Sequence, residues 1–275
     1  MNTNQHTPLF YPRALTIATS DSGGGAGVQA DLKTFSALGC YGMSVFAALT
    51  AQNTLGVQGI LDIPPDFIKM QLDSVLSDIG VDAIKVGVLR TQAAIDVVAD
   101  SLTDTVPVVL DPVMIAKSGD SLLKRDAIEA MVAHLFPRAT LVTPNLPEAA
   151  AFLGYKIEHE SQMLRAANDF CSLGVKAVLL KGGHLEADHI TDLLYLSETQ
   201  ETHWFPKTKI QTRNTHGTGC TLSSAVTAYL ARGKNLVEAV TLANDYLRGA
   251  LLAGKDYVLG TGHGPVHHFW LRVTD

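Results

Sequence analysis

The chain has 275 residues, of which 47% are apolar and 17% charged, with a formal net charge of −6. A chain of this length buries roughly three quarters of its unfolded surface, which excludes a disordered protein and permits a large core. The negative balance offers no electrostatic hold on nucleic acid or an anionic membrane, and no apolar run reaches the ~20 residues of a membrane helix.

In chain order, the opening "MNTNQHTPLFYPRALTIA" lacks a basic segment followed by an apolar one. It reads as a loose tail over residues 1–12, ahead of one domain over residues 13–275 of a cytoplasmic protein. "ALTIAT" reads as a buried strand, followed by glycines and the helical spacing of "GVQADLKTFSAL". "MSVFAALTA" is a second strand, "PDFIKMQLDSVLSDI" a helix, "DAIKVGV" a strand, "TQAAIDVVADSL" a helix and "VPVVLD" a strand. "RDAIEAMVAHLF" leads to "ATLVT", and a helix around Ala166–Leu173 leads to "KAVLLKGG". "ITDLLYL" and "THWFP" form a strand pair, and two helices close the chain, Thr218–Ala231 and Leu236–Leu252. Apolar strands alternating with helices predict βαβ units, an α/β fold with a mainly parallel sheet, and helices on both faces.

Ligands of such folds bind beyond the carboxyl ends of the strands. Those ends run into "SDSGGGAG", "QNT", "VGV", "DPVMIAKSGD", "TPNLPE" and "KGGH". The richness in Gly, Asp, Asn and Lys suits phosphate handling. Gly217, Thr218 and Gly219 precede a helix, so converging amides and the helix dipole predict an anion hole. Cys220 at the helix start is expected to tend toward thiolate and to act as base or nucleophile. Cys171 and Cys40 read as small buried hydrophobes.

Gly25-x-Gly27-x-x-Ala30 loosely fits a dinucleotide loop, but no acid occurs from Leu32 through Leu61, where the ribose partner should stand. Neither Gly-Lys pair continues into a Walker loop. Gln52 offers a donor and an acceptor side by side, the complement of an aminopyrimidine edge, although a loop glutamine bonded to backbone fits equally. Asp111 ends a buried strand where a carboxylate suits Mg²⁺. Glu148 sits in a first helical turn, where acids are also favoured without a metal, and Asn145 can simply cap. Lys181 follows a buried strand, and an unpaired ammonium there is costly, so a phosphate or carboxylate partner is expected. His263, His267 and His268 read as solvated or structural histidines rather than metal ligands.

Taken in order, "ALTIATSDSGGGAGVQADLKTFSALGCYGMSV", "AQNTLGV", "DPVMIAKSGD", "TPNLPEA", "KGGH", "NTHGTGCTLSSA" and "GHGPVHHF" resemble the hydroxymethylpyrimidine/phosphomethylpyrimidine kinases of thiamine biosynthesis. These belong to the ribokinase-like superfamily, beside pyridoxal kinases. The resemblance implies a ribokinase-like three-layer α/β/α fold, ATP with Mg²⁺ and also K⁺ as cofactors, and a homodimer. It implies Gln52, Asp31, Gly27, Val88 and Val113 on the substrate side. It implies Asn145, Lys181 and Thr218 toward ATP, and Asp111 and Glu148 toward the metal. Cys220 is implied as the base toward the substrate hydroxyl, with Gly217, Thr218 and Gly219 around the transferring phosphoryl group. Two positions depart from the pattern: Thr19 replaces a glycine, and Val88 stands where methionine is common. A pyridoxal or pyridoxine kinase is the alternative within the superfamily. From other classes, a cysteine hydrolase using Cys220 and His216 lacks a group to orient the histidine, and a nucleotide-binding sensor would show no turnover.

Overall fold

The computed structural model describes residues 9–114, 125–183 and 189–271. Residues 1–8 of the expected tail, Ile115–Asp120 of "DPVMIAKSGD" and His184 of "KGGH" lie outside the described residues.

Chain order runs β1 (Arg13–Thr19), α1 (Gly27–Ala37), β2 (Tyr41–Asn53), β3 (Gly56–Asp62), α2 (Pro65–Asp78), β4 (Ala83–Val86), α3 (Gln92–Ser101) and β5 (Val108–Leu110). It continues α4 (Arg125–Ala130), β6 (Leu141–Val142), α5 (Leu146–Leu153), α6 (Met163–Cys171), β7 (Ala177–Leu180), β8 (His189–Leu196), β9 (Thr202–Thr208), α7 (Thr218–Ala231) and α8 (Leu236–Gly254). The nine strands form one sheet in the order β3-β2-β1-β4-β5-β6-β7-β8-β9. Strands β2, β1, β4, β5, β6 and β7 are parallel to their neighbours within this run. β3 joins antiparallel at one edge, and β8 and β9 extend the other edge antiparallel.

The sequence reading missed β3. Its "GVQGILD" carries little apolar alternation, because an edge hairpin needs no buried face of its own. β2 is longer than expected for the same reason. It runs on through Gln52 to Asn53 and folds back into β3, with an irregularity between Ala51 and Gln52.

Strand alternation sorts side chains onto two cores. Leu15, Ile17, Ile84 and Val86 face the layer holding Ile68, Ile95, Met131 and Phe170. Ala14, Val109 and Leu179 face the opposite layer, of Phe35, Leu222, Val240 and Tyr246. By the same alternation, Thr16 and Lys85, register partners in neighbouring strands, turn toward α1 and α7. Helix α4 passes into a π-helical turn at Met131–Leu135, so the helix expected from "RDAIEAMVAHLF" is present but irregular.

Candidate active site

A cavity of about 840 Å³ opens where the parallel strands end. Its wall includes Thr19 at the end of β1, Gln52 at the end of β2, Val88 after β4, Val113 after β5 and Lys181 after β7. The start of α7 crosses it, with Gly217, Thr218, Gly219 and Cys220 all in the wall.

The two glycine loops meet there. Gly217 caps α7 with φ +78°, a left-handed conformation, and a Cβ at this residue would lie 1.8 Å from the Gly25 carbonyl oxygen. Gly27 opens α1 with φ +56°, and its Cβ would lie 2.4 Å from the Thr19 carbonyl oxygen. Only glycine permits both the dihedral and the approach. Between the loops, Asp21 accepts hydrogen bonds from the amides of Gly23, Gly25 and Ala26 at 2.9, 3.0 and 2.8 Å. Its Oδ2 also lies 2.8 Å from Nε2 of His216. Burial opposes ionisation of Asp21, but the His216 contact and the loop amides outweigh it and hold the carboxyl below its usual range. The Asp21–His216 pair therefore ties the first loop to the second. This pairing was not visible in the sequence, since the two residues are 195 positions apart. His216 has a carboxylate partner after all, yet among the described residues no hydrogen bond joins it to Cys220, so no hydrolase triad forms.

The first turn of α7 leaves amides unpaired by the helix, because the ladder starts with Thr221 N–H donating to the Gly217 carbonyl at 2.8 Å. Beneath Gly219 lies the Lys181 ammonium: a Cβ on this glycine would be 3.5 Å from Lys181 Nζ and 3.4 Å from Asp111 Oδ2. Lys181 Nζ is 3.2 Å from Asp111 Oδ1 and 3.9 Å from Glu148 Oε2, which supplies the expected carboxylate partners. Asp111 is fully buried and also accepts from Thr143 Oγ1 at 3.2 Å and Ser223 Oγ at 3.3 Å.

The cation between Asp111 and Glu148 is thus an ammonium. The two carboxylates expected toward the metal share Lys181 between them. Glu148 lines the cavity, whereas Asp111 stands behind the wall with its oxygens engaged. Asn145 and Glu148 form a capping box at the start of α5: Glu148 N–H donates to Asn145 Oδ1 at 2.8 Å, and Asn145 N–H to Glu148 Oε2 at 2.7 Å. Burial pushes the Glu148 carboxyl up to about 7, with Asp111 adding to the rise and Lys181 opposing it. A divalent cation would fit against this carboxylate with water and phosphate oxygens completing its shell.

Cys220 is half-buried in the wall. The expected acidic thiol is not what the surroundings produce. Burial pushes it up to about 11, with Asp31 and Asp111 adding to the rise, while Lys85 and the Gly27 amide pull the other way. A helix N-terminus alone does not overcome this desolvation. Cys40 and Cys171 are buried and free, as expected.

Asp31 does not line the cavity. It is fully buried and bonded to Lys85 Nζ at 2.8 Å, Thr16 Oγ1 at 2.6 Å and Ser224 Oγ at 2.6 Å. Lys85 was passed over in the sequence, although a lysine inside the apolar run "AIKV" carried the same signal as Lys181: a buried charge demands a partner. Ser22 pins the Gln52 backbone from both sides at 2.8 Å, and the side-chain amide has no hydrogen-bond partner among the described residues. The two departures from the resembled pattern touch each other, with Thr19 Oγ1 donating to the Val88 carbonyl at 3.0 Å. Of the C-terminal histidines, His268 is buried against Thr221 Oγ1 at 3.1 Å and His263 lines the cavity. Among the described residues no three His, Cys, Asp or Glu side chains group as a metal site.

The profile of the phosphomethylpyrimidine kinase family matches residues 21–267. This chain belongs to that family. A hydroxymethylpyrimidine/phosphomethylpyrimidine kinase of Rhizobium meliloti is 50% identical over 258 residues, 93% of this chain and 96% of the relative. Among solved structures, a phosphomethylpyrimidine kinase of Clostridium difficile superposes with TM-score 0.77 at 43% identity, covering 87% of this chain and 99% of that one. A pyridoxal kinase of Staphylococcus aureus in complex with AMP-PCP superposes with TM-score 0.86 at 37% identity, covering 94% of each chain. The fold is therefore the ribokinase-like α/β/α kinase fold, and the enzyme is a phosphotransferase. The higher identity lies with the pyrimidine kinases.

Proposed function

We infer that this enzyme transfers the γ-phosphoryl group of ATP to the hydroxyl of 4-amino-5-hydroxymethyl-2-methylpyrimidine, and then a second one to the monophosphate, on the way to thiamine diphosphate. One observation carries the reading. A single cavity joins the unpartnered Gln52 amide to the glycine-framed first turn of α7 and its Cys220. The Gln52 amide matches the ring nitrogen and exocyclic amine of an aminopyrimidine, with Gly27, Val88 and Val113 shaping the wall around the ring. Asp31 acts one layer behind, through Lys85.

The substrate oxygen attacks the γ-phosphorus in line, its proton passes to the Cys220 thiolate to leave the neutral thiol, and the bond to ADP breaks. The amides of Gly219 and Cys220, with Thr218 and Lys181, hold the negative charge on the transferring group. Glu148 is the residue that would hold Mg²⁺, with Asn145 fixing its orientation. The metal supplies charge neutralisation across the phosphates. K⁺ finds no such fit beside the anion loop. There the carbonyls of Gly254, Lys255 and Tyr257 already converge on Asn214 Nδ2, at 2.7, 3.4 and 2.7 Å.

The exposed Tyr41, Leu49 and Leu61 of the β2–β3 edge are suited to cover one another in a homodimer. Use of ATP and three free thiols fit a cytoplasmic enzyme. Phosphate transfer from ATP should be assayed with the hydroxymethylpyrimidine and with pyridoxine side by side. The reading expects a higher kcat/KM for the pyrimidine. A preference for pyridoxine would replace it with the pyridoxal kinase alternative, and ATP hydrolysis indifferent to both would remove it.

A further inference from the structure

Two buried ammoniums lie under the first turn of α7, and the reaction as described uses only one. Lys181 lies under Gly219. Lys85 lies on β4, is 1% exposed, and yet forms part of the cavity wall. Room for it is left by Gly87, whose Cβ would lie 2.8 Å from Lys85 Nζ and 2.9 Å from the Ala18 Cβ. Asp31 on α1 holds Nζ at 2.8 Å, and Asp31 is itself held by Thr16 from β1 and Ser224 from α7. Ser224 is four residues beyond Cys220, so both stand on one face of α7. The same helix face therefore reaches Asp31 through Ser224 and the cavity through Cys220, with Lys85 between.

We propose that Lys85, fixed by Asp31, is the positioning residue that supplies the counter-charge for the Cys220 thiolate, the form that takes the proton of the acceptor hydroxyl. The inference rests on the base role assigned to Cys220 above. The charged and polar groups facing Cys220 are Lys85 from β4, Lys181 after β7, Asp31 and the Gly27 amide from α1, and Asp111 from the end of β5. Of the two cations, Lys85 is the one that pulls the thiol down, while Lys181 is held between Asp111 and Glu148. Two carboxylates oppose the thiolate, and one of them, Asp31, is occupied by Lys85. The roles then divide: Lys181 serves the phosphoryl side, Lys85 the hydroxyl side.

The test is the rate of Cys220 alkylation by iodoacetamide against pH, read by mass spectrometry of its peptide in the full-length enzyme without substrate. No substrate is needed, so a wrong substrate assignment would leave this readout intact. In Lys85→Met the alkylation midpoint should move up by about one pH unit or more, which is about tenfold or more slower labelling at any pH below it. The turnover of hydroxymethylpyrimidine should fall with it, while KM for ATP stays within about twofold. Because the single variant strands the Asp31 carboxylate, the double variant Lys85→Met/Asp31→Asn provides a folded check. It should recover thermal stability but not turnover. An unchanged alkylation profile in Lys85→Met, or parental turnover in the double variant, overturns the proposal.

Discussion

At the residue scale, the chemistry of the two acceptors separates the role of Cys220 from mere packing. The first acceptor is a neutral hydroxyl and must lose a proton. The second is a phosphate monoester, largely dianionic at neutral pH, and needs no base. Cys220→Ala should therefore slow the first transfer by about 10²–10⁴-fold and the second far less, with ATP affinity retained. Equal losses in the two steps, measured with each acceptor separately, would refute the base role. Because burial holds the thiol at about 11, its thiolate fraction grows with pH across the neutral and mildly alkaline range. The rate of the first chemical step should climb with pH in the parent and stay flat in the alanine variant, as single-turnover kinetics would show. Gln52→Leu should raise KM for the pyrimidine about 10- to 100-fold, since it leaves the ring's polar edge unmatched in the cavity. Unaltered pyrimidine KM in that variant would remove Gln52 from the substrate site.

At the element scale, the candidate site is a meeting of loops brought together by glycine packing and the Asp21–His216 pair. Gly217 carries the most stringent demand, a positive φ together with backbone contact to Gly25. Gly217→Ala should cost about 1–3 kcal/mol of stability through strain at that dihedral. It should also weaken nucleotide binding, because the added carbon separates the loops that form the anion hole. Thermal unfolding and ADP titration would read the two effects. A variant with parental stability and ADP affinity would show that the loops move apart freely. The capping box of α5 was legible as a local pattern, because Asn145 and Glu148 are three residues apart. The Asp21–His216 tie was not, because its members belong to different loops.

At the scale of the whole molecule, the C-terminal segment is fastened to α7 and α8 through His268, by Thr221 Oγ1 at 3.1 Å and by the Tyr246 hydroxyl donating to the His268 carbonyl at 2.6 Å. Burial, with Lys33 and His267 nearby, lowers its pKa to about 4, so it is neutral in the fold. The unfolded chain takes up that proton near pH 6.5. The folded pKa lies below the unfolded one, so this stabilisation is complete above pH 6.5 and is lost as pH falls from there toward 4. Its full extent is on the order of 3 kcal/mol. In His268→Gln the curve of unfolding free energy against pH should be flatter over that window by about this amount. Denaturant titrations between pH 4 and 7 test it, and identical slopes for parent and variant would show that His268 does not titrate on unfolding. We also treat residues 13–275 as one cooperative unit, since a single sheet spans all nine strands.

Periodicity along the chain was enough to read the alternation of strands and helices, the rule that ligands sit beyond strand ends was enough to pick out Gln52 and Lys181, and glycines ahead of a helix start were enough to pick out the 217–220 turn. Both depend on local order, which a sequence carries directly. Lys85 pairs with Asp31 across 54 residues and Ser224 with Asp31 across 193, so that arrangement exists only once α1, β4 and α7 pack together. The same is true of the thiol. Position at a helix start argues for an acidic cysteine, but the depth of burial and the signs of the surrounding charges set the balance. Those are properties of three-dimensional packing, and here they raise the pKa that local sequence would lower.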